Sequence, residues 1–214
     1  MIPFLDRRDA GRQLGELLSL SDLASPVVVF GLPRGGIPVA YEVSERLRAS
    51  LDVFVVRKLG APGHPELAMG AIASGGIVVR NDDVIGHLRI AEQAFDRVRI
   101  QQQALLEATE KRYRKIERAM SARGTTCVIV DDGIATGATM RAAVIALRSQ
   151  NPISIIVAAP VASPSAPQQF WDIADRVVLV HTPADFSSVG SWYMNFDQTT
   201  DNEVSTLLYN RHLQ

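Results

Sequence analysis

A single cysteine, Cys127, stands among 214 residues, so no disulfide can form within the chain. It lies in the apolar run TCVIV (126–130), where a small thiol belongs to a strand interior rather than to a nucleophilic site. Charge of one sign is also lacking: 22 Lys and Arg face 23 Asp and Glu, the net charge is −1 and the pI is near 6.4. That balance excludes the overall basic field behind non-specific nucleic-acid binding, so nucleic acid is not an expected partner and any polyanion must be met locally. No apolar stretch reaches the roughly 18 residues of a membrane-crossing helix. The opening MIPFLDRRDAGRQL arrives at Asp6 and Arg7 before an apolar signal segment could form. These absences predict a soluble, cytoplasmic chain without a membrane partner. No GxGxxG follows the first apolar run, which argues against a dinucleotide-binding dehydrogenase.

What is present is a rhythm of Val- and Ile-rich runs: VVVFG (27–31), DVFVV (52–56), TCVIVD (126–131), ISIIVAA (153–159) and RVVLVH (176–181). Continuous rather than alternating apolar runs indicate strands covered on both faces, the mark of a parallel sheet. Helical patterns lie between them. Pro38 suits a first turn, with Val39, Val43 and Leu47 on one face; a second helix is predicted over 137–149 and a third over 165–174. Strands alternating with helices imply βαβ crossovers and a doubly wound α/β sheet. Three pieces fall outside the rhythm: a hairpin over 69–80 turning at Gly75 and Gly76, a long helix from about 87 to 123, and a tail. In the long helix Phe95, Val98, Leu105, Tyr113, Ile116 and Met120 fall near helical spacing, and Glu107 with Lys111 and Glu110 with Arg114 form a solvated charged face. The tail begins FSSVGSWYMNF (186–196), and Thr200 with Glu203 marks the start of a last helix.

The stretch that carries chemistry is VIVDDGIATGATM (128–140). An apolar strand ends in two adjacent carboxylates, and a loop of small residues leads into a helix. Gly133, Ala135, Gly137 and Ala138 let backbone approach a ligand, while a helix start directs unpaired N–H groups and its positive dipole end outwards. That is an anion cradle, to which Thr136 and Thr139 add hydroxyl donors. Asp131 and Asp132 would repel a phosphate in the same place, so they must address another part of the ligand. Sugar hydroxyls are suitable donors for them, and beside a pyrophosphate the pair would also sit near Mg²⁺, directly or through water.

This stretch resembles the signature of the phosphoribosyltransferases of the type I fold, which bind 5-phosphoribosyl-1-pyrophosphate (PRPP). The resemblance implies a doubly wound, mostly parallel sheet with a small hood, Mg²⁺ as cofactor, and catalytic roles for Asp131 and Asp132 at the ribose 2′ and 3′ hydroxyls. It likewise implies that Ala135, Thr136, Gly137, Ala138 and Thr139 hold the 5′-phosphate. GLPRGGIPVA (31–40) is similar to the family's pyrophosphate loop, which places Arg34 and Gly35 at the pyrophosphate and a non-proline cis peptide between Pro33 and Arg34. VRKLGAPGHPELAMGA (56–71) is similar to the family's flexible loop. Arg57 and Lys58 would act there on the pyrophosphate and in catalysis, and residues 60–65 are expected to be a mobile loop. Relatives carry a catalytic Lys or Arg within that loop, whereas this chain offers His64 and Glu66.

The resemblance also implies a hood over the acceptor. A single domain over 1–214 is expected, with its core at about 26–185 and the hood at 186–214, joined by a contribution from the N-terminus. Phe186, Trp192 and Tyr193 are the candidate acceptor platform, against the plainer reading of a minor apolar core. No Lys stands between Arg176 and Trp192, which argues against a purine oxo group as the feature recognised. The expected partners are PRPP and a small-molecule nitrogen acceptor, and a homodimer is the expected assembly. A PRPP sensor without turnover is the second reading, because binding and catalysis would share the same residues.

Overall fold

The computed structural model describes residues 3–113 and 119–212. Among the described residues, eight strands and six α-helices are built from the apolar runs and the patterns between them. In chain order they are α1 (Arg7–Ser19), β1 (Val27–Gly31), α2 (Gly36–Leu47), β2 (Ser50–Val53), β3 (Val56–Ala61), β4 (His64–Ala73), β5 (Ile77–Arg80) and α3 (Asp82–His87). They continue with α4 (Glu92–Tyr113), β6 (Thr126–Val130), α5 (Ala138–Arg148), β7 (Ser154–Val161), β8 (Arg176–His181) and α6 (Asp201–His212).

Five strands form one parallel sheet in the order β2-β1-β6-β7-β8. β6 lies in the middle, with Val27 to Gly31 of β1 in register on one side and Ser154 to Ala158 of β7 on the other. Alternate residues of each strand feed two separate cores. Val29, Val128, Val130 and Ile156 pack with Ile37, Val39 and Val43 of α2 and with Leu14 and Leu18 of α1. Val28, Phe30, Cys127, Ile129 and Val157 pack with Met140, Val144 and Leu147 of α5 on the opposite face. Helices therefore cover both faces, which is why the strand sequences are apolar without interruption. Among the described residues no helix is long and apolar enough to cross a membrane.

Several sequence expectations need correction. The run 52–56 is not one strand: β2 ends at Val53 in the parallel sheet, and β3 begins at Val56 in a second, antiparallel sheet of order β3-β4-β5. Residues 60–65, expected as a mobile loop, form the end of a β3–β4 hairpin whose turn uses Gly63 at φ 79°. The long helix expected from about 87 begins later, as α4 at Glu92, after a separate short helix α3 and Arg89 at φ 49°, and α4 is described as far as Tyr113. Ile116 and Arg114 fall outside the described residues, and Met120 packs by the second core as non-helical chain. The helix expected over 165–174 reduces to a 3₁₀ turn, Pro167–Phe170. The hairpin at Gly75 and Gly76 is present as β4–β5, with φ of 82° and 77° at the two glycines.

Helix α1 had not been expected. Asp6 caps it by accepting a hydrogen bond from the Asp9 amide, and Ala10, Leu14 and Leu18 bury one face. Gly11 permits close packing on α2, since a Cβ there would stand 2.7 Å from the Val39 carbonyl oxygen. Ahead of α1, Phe4 bridges in parallel to Tyr193, and the Phe4 and Leu5 carbonyls accept from the Met194 and Asn195 amides. The start of the described chain and the tail thus run together beside the carboxyl end of the sheet.

Candidate active site

The middle strand, β6, delivers Asp131 and Asp132 at the carboxyl edge of the sheet, where open parallel sheets hold their ligands. The loop beyond them is fixed from beneath. Buried Ile134 donates its amide to Val161 O at 2.9 Å and its carbonyl accepts from the Ser163 amide at 2.9 Å. The Ser163 hydroxyl donates to Ala135 O at 2.8 Å. With the loop tethered at its centre, Ala135, Thr136, Ala138 and Thr139 are left exposed on its rim. Gly137 is the N-cap of α5 at φ 72°, and having no side chain it leaves the first amides of α5 uncapped. A Cβ at this position would also come within 2.8 Å of Gln169 Oε1. The result is a helix start with outward amides and flanking hydroxyls, a geometry that favours a phosphate-sized anion.

The turn from β1 into α2 closes on the acidic pair from the other side. The Pro33–Arg34 peptide is cis, as the resemblance implied. A Cβ on Gly35 would lie 2.0 Å from Asp132 Oδ2, and one on Gly36 would lie 2.7 Å from Val130 O and 2.9 Å from Asp131 Cα. Bare backbone is thus what allows this turn to reach the carboxylates. Gly133 plays the same part beneath the tail, because a Cβ there would meet Val189 Cγ1 at 2.4 Å.

Both carboxyls are drawn partly out of water, Asp132 with a side chain 16% exposed. Burial pushes the Asp131 carboxyl well above the usual carboxylate range, and the neighbouring charge of Asp132 pushes the same way. The Asp132 amide donates to Asp131 Oδ1 at 2.9 Å and opposes the shift. Burial also raises Asp132, and there the main opposition is Arg7, whose Nε donates to Asp132 Oδ2 at 2.8 Å.

The other expected site residues are distributed unequally. Arg34 leaves the glycine turn towards Asp201 at the start of α6, with Nη1 to Oδ1 at 3.8 Å. Asp201 also accepts from Arg112 Nη1 at 2.8 Å and from the Tyr113 hydroxyl at 3.0 Å. Arg57 donates from Nε to Gln102 Oε1 at 2.9 Å, joining β3 to α4. Lys58 donates to the Glu66 carbonyl across the hairpin at 3.2 Å, and His64 stands 3.4 Å from Glu66 on exposed chain. Of the aromatic residues, Tyr193 is buried with Phe4, and its hydroxyl donates to the Asp132 carbonyl oxygen. Phe186 and Trp192 pack against the same small core, Trp192 near His181 at 6.4 Å. Most of the cluster therefore builds a small core with Phe4 and Val161 rather than lying open.

Sequence reasoning missed Arg7 and Asp201. The signals for their helices were present: Asp6 as a cap with Leu14 and Leu18 at helical spacing, and Thr200, whose Oγ1 accepts from the Glu203 amide at 3.2 Å. Their partners were not legible, since Arg7 and Asp132 are 125 positions apart.

Comparison with known proteins bears on this geometry. The model of the phosphoribosyl transferase domain family matches residues 8–189. Two Mycobacterium tuberculosis proteins, provisionally named phosphoribosyl transferases, are 47% identical over 210 residues, covering 98% of this chain and 47% of theirs. The chain thus spans about half the length of these curated relatives. A crystal structure of a Thermus thermophilus protein matches with a TM-score of 0.88 and 42% identity, over 98% of this chain and 99% of that one. A Neisseria gonorrhoeae hypothetical protein solved with bound ppGpp shares the fold at TM-score 0.52 and 13% identity, over 98% and 96% of the two chains.

Two predictions test the packing and the electrostatics. Gly35→Ala forces the turn and Asp132 apart and lowers the unfolding free energy by about 1–3 kcal/mol in denaturant titration. Gly86→Ala, in α3 with nothing within 4 Å of an added Cβ, is neutral or stabilising. For Asp131 the folded chain holds the proton more tightly than the unfolded chain does. Its contribution to stability is therefore greatest in acid and falls as pH rises from the ordinary carboxylate range through the raised value. Asp131→Asn should then melt higher than wild type at neutral pH in metal-free buffer, with the gap closing towards about pH 4. A gap independent of pH would show that the surroundings do not raise the Asp131 carboxyl.

Proposed function

The chain belongs to the phosphoribosyl transferase family, and from that premise we propose that it transfers the 5-phosphoribosyl group of PRPP to a nitrogen of a small acceptor, releasing pyrophosphate. The observation that carries the reading is an acidic pair closed on one side by the glycine turn before α2 and followed, in the same loop, by the uncapped start of α5. Ala135 to Thr139 would hold the 5′-phosphate through backbone amides and the two Thr hydroxyls. Asp131 and Asp132 would accept from the ribose hydroxyls, and the Arg34–Gly35 turn would face the pyrophosphate. Arg34 would have to give up its long contact with Asp201 to reach it. Arg57 and Lys58 lie on the β3–β4 hairpin and would meet the pyrophosphate from above, with His64 and Glu66 near the hairpin's exposed tip.

In the reaction the C1′–O bond breaks with its electron pair leaving on pyrophosphate, the acceptor nitrogen bonds to C1′, and its proton passes to solvent or to the leaving group. The protein's share is position and field. The cradle and the acidic pair fix both ends of the ribose, so that C1′ is presented to an acceptor beneath the hood. The Phe186, Trp192 and Tyr193 group would shape that hood, with Phe196, 37% exposed, packed beside Tyr193.

Mg²⁺ fits this site as an ion carried on the donor. Among the described residues no group of three or more His, Cys, Asp or Glu side chains is placed to hold a metal, and one oxygen of Asp132 is already engaged by Arg7. Asp131 and the other oxygen of Asp132 would stand near the ion through water. When bound, Mg²⁺ would neutralise pyrophosphate charge as the leaving group departs.

The test is pyrophosphate release from PRPP and Mg²⁺ across a panel of nucleobases and small amines. Thr139→Ala should raise the KM for PRPP about tenfold or more, the loss of one hydrogen bond to a charged group being worth ~1.5–3 kcal/mol. Asp132→Asn should lower kcat/KM by at least about tenfold. Release undiminished in both variants would remove the site assignment. PRPP binding with no turnover on any acceptor would instead identify a sensor.

A further inference from the structure

Three parts of the site meet at one guanidinium. Arg7 Nε donates to Asp132 Oδ2 at 2.8 Å, Nη1 donates to the Asp197 carbonyl at 2.6 Å, and Cζ stands 3.9 Å from the centre of the Phe196 ring. Its Nε is also 3.2 Å from where a Cβ on Gly35 would be. Acidic pair, glycine turn and hood tail are thus joined through one side chain, itself only 12% exposed.

The placement of Arg7 follows from the packing of α1. It is the first residue of a helix capped by Asp6 and buried along Ala10, Leu14 and Leu18. That helix lies on α2, whose first residues are the glycine turn. The same helix pair therefore sets both Arg7 and Gly35 relative to Asp132. No other cation expected at the site does this work in the structure, because Arg34 turns to Asp201, Arg57 to Gln102 and Lys58 to the Glu66 carbonyl.

We propose that Arg7 is a positioning residue: it holds Asp132 in one orientation and supplies the acidic pair's positive partner, leaving the pair set for neutral sugar hydroxyls rather than for direct capture of a divalent ion. The sugar part rests on the PRPP reading above; the ion part does not. A guanidinium suits the role because Nε and Nη1 serve two acceptors while the planar group lies on a ring. A lysine has one charged nitrogen and cannot reproduce that set of contacts.

The experiment compares wild type, Arg7→Gln and Arg7→Lys with two probes. Mn²⁺ alone, followed by the spin-resonance signal of the free ion, reads the acidic pair without any donor. Arg7→Gln should bind Mn²⁺ about tenfold or more tightly than wild type, with Arg7→Lys between them. PRPP with Mg²⁺, followed by calorimetry, should bind Arg7→Gln about tenfold or more weakly than wild type, again with Arg7→Lys between. A Gln variant within about twofold of wild type towards Mn²⁺ overturns the assignment. Wild type that ignores PRPP while the Mn²⁺ contrast holds defeats the functional reading and leaves the role of Arg7 standing. If Arg7→Gln does not fold, the Lys variant decides the matter, with a Mn²⁺ gain of about threefold or more supporting the role and no gain overturning it.

Discussion

Two neighbouring carboxyl groups at the end of a sheet's middle strand are a constraint that the surrounding structure has to satisfy. Charge drawn out of water is costly unless it is paired or hydrogen-bonded, and two like charges side by side add to the cost. Here Asp131 is met by the Asp132 amide, Asp132 by Arg7, and the Asp132 carbonyl by Tyr193. The residues supplying these contacts come from opposite ends of the chain. The acidic pair is therefore what ties α1, the glycine turn before α2 and the tail into one piece around the carboxyl edge of the sheet.

That arrangement has a cost in stability that function explains. A carboxyl lifted well above its ordinary range opposes folding at neutral pH, and apolar or amide side chains of similar size would avoid the penalty. The pair makes sense if it meets a ligand rich in hydroxyl donors. The uncapped start of α5 lies only a few residues further along the same loop, so one extended ligand with a sugar and a terminal phosphate would satisfy both.

How much of this was legible in the sequence depended on distance along the chain. The motif at 128–140 could be read because its strand end, acids, small residues and helix start are contiguous, and the apolar runs likewise announced a parallel sheet. Gly35 and Gly36 were recognisable as backbone that something approaches closely. That the approaching groups are Asp132 and Asp131 required the register of β1 against β6. Arg7 was invisible for the same reason, since an arginine at the start of an amphipathic helix is ordinarily a solvated one. The errors were local too. Gly63 and its neighbours signal the tight turn of a hairpin as readily as a loop, and Arg89, in the left-handed region, precedes a start of α4 held back to Glu92. The aromatic tail permitted either a ligand shelf or a small core. Its packing with Phe4 and Val161 favours the core for most of its members.

The central claim is that sugar and phosphate are gripped together, by the acidic pair and by the start of α5. Its most direct test is an amide NMR map of the isotopically labelled protein as PRPP and Mg²⁺ are added. The account predicts that the largest shifts fall on residues 131–139 and on Gly35 and Gly36, while the far ends of α5 and α2 stay still. Saturable binding whose shifts lie elsewhere, with residues 131–139 unmoved, would contradict it.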